Sequence, residues 1–96
     1  MDQRPHLIEI AVDAVDSEEA LLDRLGLALR FPGRWERSWN SFWGHITTDV
    51  TMPLTLRLIG WDTLKSRLPL VAEQLHRCLE DMLHESPDRA AKIEYL

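Results

Sequence analysis

The hydrophobic period of this chain changes along its length, and that change restricts the fold more than any single motif does. Residues 6–12 (HLIEIAV) are a short β-branched and apolar run ahead of Asp13, which predicts a strand with Glu9 on its exposed side. Over 17–29 the spacing becomes helical, with Ala20, Leu21, Leu22, Leu25 and Leu29 supplying the apolar face. Asp16, followed three residues later by Glu19, resembles a capping box that opens this helix, and Gly26 is a tolerated weak point within it. Pro32 and Gly33 make residues 30–37 a turn-rich connection. Ser38 is the natural N-cap of a second helix, from Trp39 to Ile46 or Thr47, in which Trp39, Phe42, Trp43 and Ile46 recur at i, i+3, i+4 and i+7. Residues 51–59 return to alternation, Leu54, Leu56 and Leu58 against Thr55 and Arg57, with Pro53 at the start of the strand and Gly60 closing it. A short helix over 61–68 follows, then a longer one with Pro69 in its first turn and Leu70, Val71, Leu75, Cys78, Leu79, Met82 and Leu83 on its core face. Ser86, Pro87 and Asp88 end that helix, and residues 91–96 (AKIEYL) read as a closing strand.

Strands separated by helices need crossover connections, so the expected fold is α/β: a three-stranded parallel sheet flanked by about four helices. A chain of 96 residues has room for one core, so residues 1–96 are expected to form a single small domain.

Composition removes several function classes. Cys78 is the only cysteine, which excludes an internal disulfide framework and a multi-thiolate metal site and favours a reducing compartment, the cytoplasm. The start MDQRPHLIEI lacks the basic and apolar regions of a signal peptide, and no apolar run approaches the roughly 20 residues of a membrane helix. His6, His45, His76 and His84 are scattered, without zincin spacing, a nucleophile elbow or a phosphate-cradling glycine loop, so the reading is a non-enzyme with no cofactor and no metal. Cys78 falls on a helix face that predicts a core thiol. Only a deep pocket gathering His45 with an acid such as Asp49 would revive catalysis.

One segment departs from the acidic mean. The formal net charge is −5, and residues 1–29 hold seven acids and two bases. Residues 30–43, by contrast, hold Arg30, Arg34 and Arg37 against Glu36 alone, together with Phe31 and three of the four tryptophans, Trp35, Trp39 and Trp43. Tryptophan and arginine dominate interface hot spots, and Trp35, outside the helical pattern, is the best single candidate for one. Core packing of Trp39 and Trp43 with Phe42 and Ile46 is the competing explanation. Interleaved arginine and tryptophan also suit single-stranded RNA, but three arginines on an anionic domain make that the weaker fit.

The run LGLALRFPGRWERSWNSFWGHI, followed by PLTLRLIGW, resembles the barstar family of small ribonuclease inhibitors over essentially the whole chain. The likeness rests on Leu29, Phe31 and Pro32 at the end of the first helix, on Trp39, Asn40, Ser41 and Phe42 opening the second, and on Pro53 and Leu54. It implies a three-stranded parallel sheet with flanking helices and a protein that plugs the active site of a cytotoxic enzyme. In such inhibitors the second helix and the loop before it carry the binding face, with two aspartates one turn apart mimicking phosphates. The matching positions here are Asn40 and Gly44, and Arg34, Ser38 and Glu36 stand where an aromatic, an asparagine and a glycine are usual. An uncharged, arginine-bearing face sets like charges against a cationic RNA-binding cleft, which costs affinity. Either this face meets a neutral or acidic target, or Glu80, Asp81 and Glu85 with Asp49 supply an anionic contact.

The expectation is therefore a cytoplasmic bacterial immunity protein, monomeric before binding. It would occlude a cognate toxin, a nuclease or another cytotoxic enzyme, through Arg34, Trp35, Arg37, Ser38, Trp39, Asn40, Trp43 and Gly44. The alternative is an RNA-binding or regulatory module using the arginine and tryptophan cluster at 30–43.

Overall fold

The computed structural model describes residues 4–96, so the first three residues of the N-terminal stretch read above lie outside the described part. Seven elements follow one another: β1 (Leu7–Ala11), α1 (Glu18–Leu29), α2 (Trp39–Thr48), β2 (Thr55–Ile59), α3 (Trp61–Arg67), α4 (Pro69–Glu85) and β3 (Lys92–Tyr95). All three strands are parallel, in the order β1-β2-β3. The period changes in the sequence thus mark every element, with differences at the ends.

Two of those differences have identifiable causes. The cap of α1 is Ser17, not Asp16: its side-chain oxygen accepts from the Ala20 amide at 3.1 Å, and the helix begins at Glu18. β2 starts at Thr55 rather than near residue 51, because the carbonyls ahead of it are already used. The Arg4 guanidinium donates to the Met52 and Pro53 carbonyls at 2.8 and 2.9 Å and to the Ala90 carbonyl at 3.0 Å. Arg4 thereby fastens the approaches to β1, β2 and β3 to one another.

The sheet is covered on one face only. Ile10, Leu56 and Leu58 are buried there with Ile8, Ile93 and Tyr95 half-buried, packed in one cluster with Leu21 and Leu25 of α1, Phe42 and Ile46 of α2, and Leu75 and Leu79 of α4. On the open face the register aligns Glu9, Arg57 and Glu94 across the three strands. Arg57 donates to Glu9 at 2.9 Å and to Glu94 at 2.7 Å, a cross-strand charge row that suits a solvated surface. The hydrogen bond from Arg57 holds the Glu94 carboxyl below its ordinary range.

At the far edge Tyr95 packs on Trp61, ring centroids 4.7 Å apart, and its hydroxyl lies 2.9 Å from His76 Nδ1. Burial, reinforced by the Glu80 carboxylate, pushes the phenol up to about 12 from an ordinary 10.0. Between those values the unfolded chain has lost a proton that the folded chain keeps, so stability must fall as pH rises through this window. Ultraviolet phenolate titration of the folded protein is expected to show a midpoint near 12, and a midpoint near 10 would place Tyr95 in solvent.

Candidate functional site

The loop between α1 and α2 is shaped by how α1 ends. Arg30 adopts the left-handed conformation (φ 63°, ψ 46°), while Phe31 donates to the Gly26 carbonyl at 2.8 Å and Arg30 to that of Leu27 at 3.4 Å. This is the paired-bond termination that glycine usually supplies, and a side-chain-bearing residue there costs on the order of 1 kcal/mol. The reversal aims Phe31 inward, and a turn closed by the Trp35 amide on the Pro32 carbonyl at 3.1 Å then returns the chain to α1.

Trp35 ends in the core. Its indole lies on the backbone of Gly26, so close that a Cβ at position 26 would stand 2.6 Å from Nε1, and it meets Phe31 edge-on at 4.8 Å. At 6% exposure it cannot be the exposed anchor that its place outside the helical pattern suggested. Gly26 is likewise no mere weak point: its missing side chain is the seat of the indole. A lone glycine on the buried face of a leucine-rich helix was the signal available for this packing.

Arg37 and Trp39 fasten the loop and α2 to α1. Arg37 donates to the Trp35 carbonyl at 2.8 Å and to Asp23 of α1 at 2.8 Å, and its guanidinium sits 5.3 Å from the Trp35 ring centre. Ser38 caps α2 by accepting from the Ser41 amide at 3.1 Å, as the sequence predicts. Trp39 donates from its indole to Glu18 at 3.0 Å and packs edge-on to Phe42 at 5.6 Å. Two carboxylates from the acidic α1 therefore dock onto the segment that looked basic. Among the described residues of that segment, Arg30 and Arg34 have no such partner.

Of the expected face, Arg34, Arg37 and Asn40 are exposed, Ser38, Trp39, Trp43 and Gly44 are half-buried, and Trp35 is buried behind them. Above Gly44 there is open space: a Cβ there meets nothing within 4 Å. The surface is polar and nearly neutral, with two half-exposed indoles. For RNA it lacks the loop indole as a stacking platform.

His45, on the next side of α2, packs on Phe31 with centroids 5.0 Å apart and points Nδ1 at Asp49, 3.0 Å away. That hydrogen bond holds the Asp49 carboxyl below its ordinary range. The pair is formed at the surface, and the cavity beside Asp49 is lined by Pro5, Leu29 and Arg30 rather than by His45. Among the described residues no three histidine, cysteine or carboxylate side chains converge as metal ligands would. Cys78 is half-buried rather than fully in the core, and burial followed by the charge of Asp81 pushes its thiol up, away from nucleophilic use. Arg89 donates to the Thr48 carbonyl at 2.8 Å, which ties the chain beyond the acidic end of α4 to the end of α2 near Asp49.

A protein-family model described as Barstar (barnase inhibitor) matches residues 5–95. No curated protein matches the chain.

The two helical glycines are expected to respond oppositely to alanine. Gly44→Ala should stabilise the fold by about 0.5–1 kcal/mol through helix propensity, whereas Gly26→Ala should cost about 1–3 kcal/mol by driving Cβ into the indole. Urea unfolding of both variants checks this, and equal signs would contradict the packing described.

Proposed function

The chain belongs to the barstar family, and on that premise we propose that it is an immunity-type inhibitor that occludes the active site of a cognate bacterial toxin within the cytoplasm. The family is one of inhibitors rather than enzymes. The observation that carries the reading is the rigid mounting of α2: a capped helix fixed to α1 through Arg37, Trp39 and the Trp35–Gly26 contact. A face ordered before the encounter loses little conformational entropy on binding, which favours the tight association that immunity requires.

In this reading Arg34, Arg37, Ser38, Trp39, Asn40, Trp43 and Gly44 touch the toxin, while the buried Trp35 holds those residues in place. Trp39 and Trp43 supply apolar area, and the space above Gly44 receives a toxin side chain. Because Asn40 and Gly44 carry no charge and Arg34 is a free cation, the matching toxin surface is neutral or acidic rather than a cationic phosphate-binding cleft. A changed charge pattern on a kept scaffold excludes the toxins of related systems and so creates specificity.

A second reading is favoured by the bond from Arg89 to Thr48, which brings the acidic end of α4 beside α2. In that reading a different face, Glu80, Asp81 and Glu85 with Asp49, would supply an anionic contact in place of the α2 face.

Calorimetry with a candidate toxin, sought among the products of neighbouring genes, tests the proposal. Trp43→Ala is expected to weaken binding by at least tenfold, and Asn40→Asp with Gly44→Asp should weaken it too. Tighter binding by the double aspartate variant would mean a cationic cleft and would overturn the neutral-face reading. Loss of affinity on Asp81→Lys with Glu85→Lys, with Trp43→Ala neutral, would move the contact to α4. The purified protein is expected not to shift single-stranded RNA at low salt, where electrostatic binding is strongest.

A further inference from the structure

β1 is an edge strand, and its unpaired side opens onto a groove. The Thr55 amide donates to the His6 carbonyl and the Val12 amide to the Ile59 carbonyl, so the ladder bonds of β1 fall on its even-numbered residues. In a parallel pair the intervening residues, Leu7, Glu9 and Ala11, then aim their N–H and C=O groups at the free edge. Alongside runs a groove between β1 and α1 in two compartments of about 580 and 510 Å³, both lined in part by Ala28. Its walls include Ala11, Ala14, Ala20 and Leu27, and Leu27 is 76% exposed. The five residues of β1 make this edge about 17 Å long, the span of an ordinary strand. β1 itself carries no lysine or proline; Pro5, just ahead of it, lines the second compartment, and Glu9 is the one charged side chain on the strand.

We infer that this edge is a docking site for an extended segment of a partner protein, added as a fourth strand beside β1 and carrying a lysine or arginine opposite Glu9. The charge row on the open face sets the occupant. It reads Glu94, Arg57, Glu9, so the next residue outward continues the alternation if it is a cation. Full-length antiparallel pairing with a second copy would set Glu9 against its own counterpart, and like charges directly opposed are destabilising. On the covered side the added strand would lay apolar side chains against Leu27, Ala20 and Ala28 of α1, and the small size of the alanines lets the incoming backbone approach. Main-chain bonds would give affinity and the alternating side chains specificity. The site is separate from the α2 face and does not depend on how that face is used.

The probe is a synthetic heptapeptide of alternating lysine and valine, with the glutamate analogue and a backbone N-methylated lysine peptide as controls. Amide hydrogen exchange by NMR is the readout. The lysine peptide is expected to slow exchange at Leu7, Glu9 and Ala11 by at least tenfold, and neither control should do so. Ala11→Pro removes an outward N–H that the ladder does not use and should weaken peptide binding by at least tenfold. Glu9→Gln, which keeps the backbone unchanged, should erase the preference for lysine over glutamate. Absence of lysine-peptide binding, protection confined to other elements, indifference to peptide charge, or dimerisation that protects these amides without peptide would each overturn the inference.

Discussion

The indole of Trp35 resting on the bare backbone of Gly26 is the contact on which the rest of the candidate face depends. It returns the connection between α1 and α2 to α1, and it gives the Arg37 guanidinium a ring to cover and a carbonyl to bond. The Ser38 cap and the direction of α2 follow from where that loop ends. The contact fixes the loop and with it the cap, while Phe42 and Ile46 anchor α2 itself in the core. A structural tryptophan thus acts on recognition by fixing neighbours rather than by touching a partner.

Charge is redistributed by the same docking. Counted along the chain, the stretch from Arg30 to Trp43 is basic and the stretch before it acidic. Folding lays one on the other, so that Asp23 meets Arg37 and Glu18 accepts from Trp39. The resulting surface is close to neutral, with Arg34 its free cation. Electrostatic arguments from sequence blocks hold only where the blocks stay apart, and here α1 and the loop do not.

Periodicity made the architecture legible. Alternation in β2 separated Leu56 and Leu58 from Thr55 and Arg57, and the i, i+3, i+4, i+7 run in α2 placed Phe42 and Ile46 in the core. The family likeness was carried by the same stretch, and the family match confirms it. Less legible was whatever depends on residues distant in sequence. The late start of β2 follows from Arg4, some 50 residues earlier, and the burial of Trp35 from a glycine on the preceding helix. The left-handed Arg30 had no signal, since arginine is a poor occupant of that conformation. The one-sided sheet could be read from β2 alone, but its charge row required the register.

The central claim is that a partner is met by α2 and the loop that mounts it. Hydrogen exchange on the complex with the proposed cognate toxin tests it most directly. The account predicts new protection at Arg34–Ser38 and along Trp39–Thr48, with α3 and the first turns of α4 unchanged. Protection confined to α3 and α4, with α2 exchanging as in the free protein, would contradict it.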